Sequence, residues 1–167
     1  MTRRVAAIDC GTNSVRLLIA EASASGFAEV DRDLHLTRLG QGVDATGRFA
    51  PEALARTLDA VAGFGRRIRA AGADRVRFVA TSAARDASNR DEFFAGVRER
   101  VGVDAEIISG DEEARLSFTG ALSVASEVEW PVLVMDIGGG STELVLGRRD
   151  ADGALTIVAG RSLDVGS

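Results

Sequence analysis

Two stretches of the chain share one pattern of apolar and polar positions. In residues 132–147 an apolar run leads into an aspartate, three glycines and two hydroxyl residues before a second apolar run. This pattern predicts two strands joined by an unusual turn. Residues 5–20 follow the same plan, and Asp9 precedes Asp136 by 136 minus 9, or 127, positions. Three further residues recur at that offset: Gly11 as Gly138, Ser14 as Ser141 and Leu17 as Leu144. The chain therefore contains an internal repeat.

The similarity between the two copies extends beyond the first pair of strands. A turn at Ser25-Gly26 falls opposite Asp152-Gly153, and Leu39-Gly40 lies within one residue of Val165-Gly166. Glycine with a small polar neighbour is typical of a hairpin turn. Each copy is therefore predicted to open with a three-stranded antiparallel meander.

Helices and strands alternate between the two meanders. Apolar periodicity, with Pro51 as the first residue of one helix and glycines that end two of them, defines these elements. We predict a helix over 51–71, a strand over 75–80, a helix over 89–101, a short strand over 105–108 and a helix over 109–124. This alternation predicts an α/β fold with a mixed sheet.

The second copy ends shortly after its meander. We expect residues 1–127 to form a first lobe and residues 128–167 the start of a second, incomplete lobe. A second lobe of matching size would extend to about residue 290, within the normal range of domain lengths. We therefore expect the chain to be an N-terminal fragment whose second meander leaves an apolar face and a sheet edge exposed.

Composition excludes several classes of protein. The chain is 46% hydrophobic and 27% charged, which is typical of a globular protein, and its net charge of -5 argues against a nucleic-acid-binding surface. Its single cysteine, Cys10, excludes an internal disulfide, and no Cys/His cluster suggests zinc. The apolar run before Asp9 is too short for a signal peptide or membrane span. We therefore expect a cytoplasmic protein that does not associate with membranes.

The two glycine-containing turns are candidate phosphate sites. Glycine lets consecutive backbone N–H groups point into one concavity and lets an anion approach the main chain closely. The alternative is a tight hairpin whose glycines only supply positive φ, but an ordinary hairpin needs one or two glycines and not three after an aspartate. Loop 1 consists of Gly11, Thr12, Asn13 and Ser14, and loop 2 of Gly138, Gly139, Gly140, Ser141 and Thr142. Asp136, at the strand end before loop 2, could hold a divalent cation directly or through water.

Glu113 is a candidate general base. Ser109 and Glu112 have the spacing of a capping box, which gives Glu112 a structural role. Glu113 projects about 100° further round the helix and is not required for the cap. The alternative is a solvated acid that interacts only with the helix dipole.

Arg85 follows a predicted strand in the same way as the two loops and Glu113. Ligands bind at the carboxyl edge of open α/β sheets, so we expect these four segments to converge. A guanidinium there could bind phosphate oxygens, and the alternative is a solvated arginine near Asp86. Two other residues are predicted to lack catalytic roles: His35 is expected on the exposed face of its strand, and Cys10 is expected to act as a small buried hydrophobe.

The duplicated Asp-x-Gly turns resemble the phosphate loops of the acetate and sugar kinase, Hsp70 and actin superfamily. Within it, four segments resemble the exopolyphosphatase and guanosine pentaphosphate phosphohydrolase family: residues 9–14, 81–85, 109–116 and 136–143. The resemblance implies ribonuclease-H-like, actin-like ATPase lobes that clasp a phosphate chain. It also implies hydrolysis of a terminal phosphoanhydride in inorganic polyphosphate or in guanosine pentaphosphate, a nucleotide of the stringent response.

The resemblance also implies roles for individual residues. Glu113 would be the general base for the attacking water, and Arg85 would stabilise charge on the transferred group. Asp136, with Glu143 in support, would position Mg²⁺ or Mn²⁺, while loops 1 and 2 would hold phosphate from opposite lobes. A homodimer of the full-length protein is compatible with this resemblance, and the fragment alone is expected to have little or no activity.

Two alternatives stay open at this point. A kinase of the same superfamily would transfer phosphate from ATP to a small acceptor and would need an adenosine pocket in the second lobe. A non-enzymatic module would bind guanosine tetraphosphate or pentaphosphate without turnover, although Glu113, Asp136 and Ser141 are all present. The choice between polyphosphate and guanosine pentaphosphate is expected to depend on the second lobe.

Overall fold

The computed structural model describes residues 3–23, 26–125 and 127–167 and divides the chain into two units, Met1–Ile107 and Ile108–Ser167. The first unit has six elements of more than five residues and three shorter ones. In order they are β1 Arg3–Cys10, β2 Ser14–Ser23, β3 Gly26–Leu36, α1 Val43–Thr46, α2 Pro51–Ala71, β4 Arg75–Ala80, α3 Ser82–Asp86, α4 Arg90–Val101 and β5 Ala105–Ile107.

The strands of the first unit form one mixed sheet in the order β3-β2-β1-β4-β5. β1 is antiparallel to β2 and parallel to β4, and β4 is parallel to β5. The predicted mixed α/β fold is therefore confirmed. The parallel pairing brings the carboxyl ends of β1 and β4 to the same edge, where Cys10 lies opposite Ala80.

The core of this unit lies between one face of the sheet and the helices α2 and α4. Alternation along β1 and β2 buries Ile8, Cys10, Val15 and Leu17 on that face. Phenylalanines dominate the centre, where the rings of Phe78 and Phe93 meet edge to face at 5.9 Å between centroids. Val61, Phe64 and Val97 are also fully buried.

The helices begin and end close to the predicted residues. Pro51 is the first residue of α2, where its missing N–H leaves no hydrogen bond unmade. Gly72 ends the helix at φ 64 and donates its N–H to the carbonyl of Arg69. The predicted helix over 89–101 is α4, which ends at Gly102 in the same left-handed conformation. The segment that carries Arg85 is the short helix α3, which we did not predict.

His35 is exposed, as predicted, with 50% of its side chain accessible to solvent. Its ring centroid also lies 5.5 Å from that of Phe64 on α2. On the same side of this edge strand, α2 presents the cation of Arg67. Arg67 forms ion pairs with Asp31 and Asp33, and its hydrogen bond to Asp31 lowers the pKa of that carboxyl group.

The second unit consists of one helix and the second meander. Its elements are α5 Gly110–Val124, β6 Val132–Ile137, β7 Thr142–Arg149 and β8 Leu155–Leu163, with the strands antiparallel in the order β6-β7-β8. The predicted turn at Asp152-Gly153 is confirmed, with Gly153 at φ 85. Its counterpart at Ser25-Gly26 includes Ser25, which lies outside the described residues.

Helix α5 packs on one face of this meander. Ala114, Phe118 and Val145 form the buried centre of the contact. The ring of Phe118 lies against β7 at Gly147, where a Cβ would be 2.1 Å from a ring carbon. On the opposite face Leu133, Met135 and Ile137 are each more than half exposed, which agrees with the predicted exposed apolar face.

The division of the chain differs from the predicted lobe boundary after residue 127. By its packing, α5 belongs with the second meander, whereas the sequence placed it at the end of the first lobe. The assignment of residues 1–127 and 128–167 to the two lobes of a longer protein stays a prediction. Among the described residues, no helix is both long and apolar enough to cross a membrane.

Candidate functional site

Loops 1 and 2 are closed by the same hydrogen bond. The N–H of Gly11 donates to the carbonyl of Ser14 at 2.9 Å, and the N–H of Gly138 donates to the carbonyl of Ser141 at 2.8 Å. Both bonds join a residue to the third residue after it, so each loop reverses the chain tightly between antiparallel strands. The sequence repeat is therefore also a repeat of backbone conformation.

Each loop is supported by a glycine from the end of its own meander. A Cβ on Gly40 would lie 2.3 Å from Cγ2 of Thr12, and a Cβ on Gly166 would lie 2.3 Å from the carbonyl carbon of Gly139. Thr12 and Gly139 are related by the repeat, since 139 minus 12 is 127. The close approach explains why glycine stands at both supporting positions.

Hydroxyl groups of the loops have different surroundings. In loop 2 the Thr142 hydroxyl donates to the carbonyl of Val165 at 2.6 Å, and Ser141 is buried. In loop 1 the hydroxyls of Thr12 and Ser82 are hydrogen bonded at 2.8 Å. The Thr142 hydroxyl therefore joins loop 2 to the segment that follows β8, while its predicted contact with phosphate stays a prediction.

A row of three polar residues crosses the second meander just before loop 2. Asp136 on β6 lies opposite Glu143 on β7, which lies opposite Ser162 on β8. Residues directly opposite one another share a face of the sheet, and like charges in that position repel. Glu143 is buried, and its Oε1 accepts a hydrogen bond from the Ser162 hydroxyl at 2.9 Å. We call Asp136, Glu143 and Ser162 the polar row.

The repeat departs from symmetry at this row. In the first unit Asp9 lies opposite Arg16, an arginine at the position that corresponds to Glu143, since 143 minus 16 is 127. An aspartate opposite an arginine is a neutral pair, whereas Asp136 opposite Glu143 is a pair of carboxylates. The second copy therefore concentrates negative charge where the first copy does not.

Helix α5 lies across the polar row. Gly110 lies against Ser162, where a Cβ on Gly110 would be 3.0 Å from the serine Cβ and Oγ. Further along, the Ser117 hydroxyl donates a hydrogen bond to Oδ2 of Asp136. The helical rise between these two residues is about 10 Å, which matches about two strand spacings. α5 thus reaches from β8 to β6.

Glu113 lies between these two contacts, one turn after Gly110 and one turn before Ser117. It is half-buried and shares the meander-facing side of α5 with the buried Ala114. The neighbouring Glu112 is exposed, and its backbone N–H donates to the Ser109 hydroxyl at 3.2 Å, which is the serine half of the predicted capping box. The helix therefore directs Glu113, and not Glu112, towards the meander.

Arg85 is positioned by the first unit. It lies on α3, which begins at Ser82 next to Thr12 of loop 1, and its N–H donates to the carbonyl of Thr81 at 3.2 Å. The adjacent ends of β1 and β4 bring loop 1 and α3 together, as predicted. The expected convergence of Arg85 with Glu113, which belongs to the other unit, stays a prediction.

Cys10 lies immediately before loop 1, on the buried face of β1. Burial, reinforced by the charge of Asp9, raises the pKa of the Cys10 thiol far above its ordinary value. The protonated thiol is a poor nucleophile. This agrees with the prediction that Cys10 has a packing role.

The residues of the polar row fit a magnesium ion that is shared with a phosphate ligand. Mg²⁺ usually keeps several waters and is bound by one or two carboxylates together with substrate phosphates. Asp136 and Glu143 provide such a pair of hard oxygen donors on one face. Among the described residues no cluster of three or more His, Cys, Asp or Glu residues could hold a metal by itself.

Sequence reasoning missed the two serines of this site. Ser117 was recognisable in principle, because it follows Glu113 by four positions and therefore lies on the same helix face. Ser162 could not be assigned, because its position opposite Glu143 depends on the register of β7 and β8. The supporting role of Gly166 likewise depends on tertiary structure.

The mixed sheet of the first unit and the recurrence of its opening turn in the second define an α/β protein with an actin-like fold. The chain belongs to the Ppx/GppA phosphatase family, whose model matches residues 18–167.

The relatives are longer than this chain. Exopolyphosphatase 2 of Mycobacterium tuberculosis is 51% identical over 98% of this chain and 52% of its own length. The crystal structure of an exopolyphosphatase-like protein is 48% identical, with a TM-score of 0.94 over 99% of this chain and 51% of that one. An exopolyphosphatase from Cytophaga hutchinsonii is 30% identical, with a TM-score of 0.88 over 98% of this chain and 51% of that one. The chain thus spans about half the length of the relatives it matches.

Proposed function

We propose that the protein, at the full length of its relatives, is a phosphoanhydride hydrolase that releases terminal phosphate from inorganic polyphosphate. The observation that carries this proposal is the position of Glu113 on α5, between the contacts of that helix with the two ends of the polar row. The names of the relatives support polyphosphate as the substrate. Guanosine pentaphosphate is proposed as a second substrate, because the family description includes GppA.

Glu113 is proposed to accept a proton from the attacking water. The first turn of α5 favours the ionised carboxylate, which is the form that a base requires. A positioned base typically contributes about 10²- to 10⁴-fold to a rate. The remaining rate enhancement in phosphoryl transfer comes from positioning and from neutralisation of charge.

Asp136 is proposed to hold Mg²⁺ or Mn²⁺, with the buried Glu143 in support. When bound, the ion would neutralise charge on the phosphate oxygens. The hydroxyls of Ser117 and Ser162 would hold the two carboxylates in place. Loss of the Asp136 carboxylate is therefore expected to weaken metal binding.

Loops 1 and 2 are each proposed to bind phosphate through backbone N–H groups. The planar guanidinium of Arg85 is proposed to stabilise charge on the transferred group. The buried, protonated Cys10 takes no part in this chemistry. We propose a cytoplasmic location.

Phosphate release by the full-length protein tests the proposal. The substrates are long-chain polyphosphate, guanosine pentaphosphate, and ATP with or without small acceptors, each with and without Mg²⁺. We expect Mg²⁺-dependent release from polyphosphate and a loss of at least about a hundredfold in Asp136→Asn. Transfer from ATP to an acceptor without polyphosphate hydrolysis would instead identify a kinase. Tight binding of guanosine tetraphosphate without turnover of any substrate would identify a binding module.

A further inference from the structure

The hydrogen bond between Ser117 and Asp136 joins the two chemically active elements of the second unit. Asp136 is the penultimate residue of β6, and Ser117 lies near the middle of α5. Among the described residues, Ser117 is the one hydrogen-bond partner that the structure gives the Asp136 side chain. The same helix carries Glu113 one turn earlier.

We propose that Ser117 is a positioning residue that orients Asp136 for cation binding and fixes it relative to Glu113. The inference rests on the proposed roles of Asp136 and Glu113 in phosphoanhydride hydrolysis. The hydroxyl of Ser117 has a single proton, which it donates to Oδ2 of Asp136. This bond restrains the orientation of the carboxylate through Oδ2 and leaves Oδ1 as the oxygen that Ser117 does not bind.

The charge of the polar row makes such a donor necessary. Asp136 and Glu143 lie opposite each other, and their repulsion favours side-chain orientations that separate the two carboxylates. Each receives a serine hydroxyl from a different direction, Asp136 from α5 and Glu143 from β8. The two serines therefore hold both carboxylates in place before a cation arrives.

The link also sets the distance between base and cation. Ser117 and Glu113 are one turn apart on one helix, and their relative position is fixed by its backbone. Because Ser117 contacts Asp136 directly, a shift of α5 along the meander would break this hydrogen bond. The spacing of Glu113 and the Asp136 carboxylate thus depends on the Ser117 hydroxyl.

Thr119 provides a matched control on the same helix. Its hydroxyl donates to the carbonyl of Arg115 at 2.8 Å, and the residue is exposed. Thr119→Ala therefore removes a hydroxyl from α5 without removing a contact to the polar row. Ser117→Thr keeps a hydroxyl at the proposed position and tests whether that group is sufficient.

The experiment measures Mn²⁺ binding to the full-length protein by electron paramagnetic resonance in the absence of substrate. Partners of metal ligands typically contribute about 10- to 100-fold to metal affinity. We expect Ser117→Ala to weaken Mn²⁺ binding by at least about tenfold. The Mn²⁺ dissociation constants of Ser117→Thr and Thr119→Ala should both stay within about threefold of that of the unsubstituted protein, which is well below the expected tenfold effect.

A double-mutant cycle with Asp136→Asn tests whether Ser117 acts through Asp136. We expect the double variant to bind Mn²⁺ no more weakly than Asp136→Asn alone, because the serine then has no carboxylate to orient. Additive losses would overturn the proposal. Unchanged Mn²⁺ affinity in Ser117→Ala would also overturn it, as would an equal loss in Thr119→Ala.

Failure of this inference is distinguishable from failure of the proposed function. Mn²⁺ affinity is measured without turnover, while polyphosphate hydrolysis by the unsubstituted protein is measured separately. Hydrolysis together with normal Mn²⁺ binding in Ser117→Ala would overturn only the role of Ser117. The half-saturating Mg²⁺ concentration for phosphate release should rise in Ser117→Ala in parallel with the Mn²⁺ dissociation constant. A lower turnover at saturating Mg²⁺ without any change in these two metal-binding quantities would contradict the proposal.

Discussion

Gly166 packs against the backbone of Gly139 so closely that a Cβ on Gly166 would lie 2.3 Å from the Gly139 carbonyl carbon. The end of the second meander thereby supports loop 2 from behind. The neighbouring Ser167 reinforces this arrangement, because its N–H donates to the carbonyl of Gly138 at 3.0 Å. The shape of the proposed phosphate loop therefore depends on a residue that follows it by 27 positions, since 166 minus 139 is 27.

Gly166→Ala is expected to displace loop 2. The added methyl would meet backbone atoms that cannot rotate away, and small misplacements at a reacting centre can reduce rates about 10²-fold. We expect kcat/KM for polyphosphate to fall by at least about tenfold in the full-length protein. Gly160→Ala on β8 is the control, since the nearest atom to its Cβ would be the Leu144 carbonyl oxygen at 4.0 Å. Equal activity of the two variants would show that Gly166 does not shape the loop.

Glu113→Gln is expected to lower turnover of the full-length protein by at least about a hundredfold, with little change in KM for polyphosphate. The amide keeps the size of the side chain but cannot accept the proton of the attacking water. Steady-state phosphate release measures both constants. Glu112→Gln, in the same helical turn but on the exposed side, should keep turnover close to normal. Retained turnover in Glu113→Gln would reject its assignment as the base.

Gly147→Ala is expected to destabilise the second unit. Its Cβ would lie 2.1 Å from the Phe118 ring, and overpacking of this kind costs about 1 to 3 kcal/mol. The urea midpoint of the full-length protein measures the change. Gly120→Ala on α5 provides the comparison, because its Cβ would meet no atom within 4 Å and alanine favours the helix. A midpoint for Gly147→Ala at or above that of Gly120→Ala would contradict the packing of Phe118 on β7.

Cys10 is expected to make stability depend on pH in the alkaline range. Burial raises the pKa of its thiol in the folded state above the ordinary value of 9.0. The stabilising contribution is thus fully present below pH 9 and is lost as pH rises through the folded pKa, because the unfolded thiol then ionises first. Above the pKa of the unfolded thiol, the free energy of unfolding should fall by about 1.4 kcal/mol per pH unit.

Urea unfolding of the full-length protein between pH 8 and pH 10.5 measures this effect, and Cys10→Ala should remove it. Residues 1–167 contain no tyrosine and no lysine, and the comparison with Cys10→Ala separates the thiol from side chains that titrate elsewhere in the full-length protein. Identical pH dependence in the two proteins would contradict the burial of the thiol. The native thiol should also resist alkylation at pH 8.

Local patterns in the sequence predicted most elements of the fold. Pro51, Gly72 and Gly102 mark helix ends through backbone constraints that act within a few residues, and the structure confirms all three. For the edge strand β3, alternation alone could not show which side faces α2, and the structure shows that it is the side whose aspartates pair with Arg67.

The candidate site was predictable to the extent that its chemistry repeats or follows a helix. The offset that relates Asp9 to Asp136 identified loops 1 and 2, and the capping pattern at Ser109 separated Glu112 from Glu113. These features depend on residues that are close in the chain or on copies of one pattern. They can therefore be predicted from the sequence without the tertiary structure.

Tertiary structure alone decided which residues hold this site in place. Ser117 reaches Asp136, Ser162 reaches Glu143, and Gly166 supports Gly139, each across at least 19 positions of the chain. Such contacts depend on strand register and on where α5 lies over the meander. Strand register and the position of α5 produce no periodic pattern at Ser117, Ser162 or Gly166. A serine or a glycine is compatible with many positions on a strand or a helix. By itself the sequence thus determined the elements and the chemical groups, while packing determined their partners.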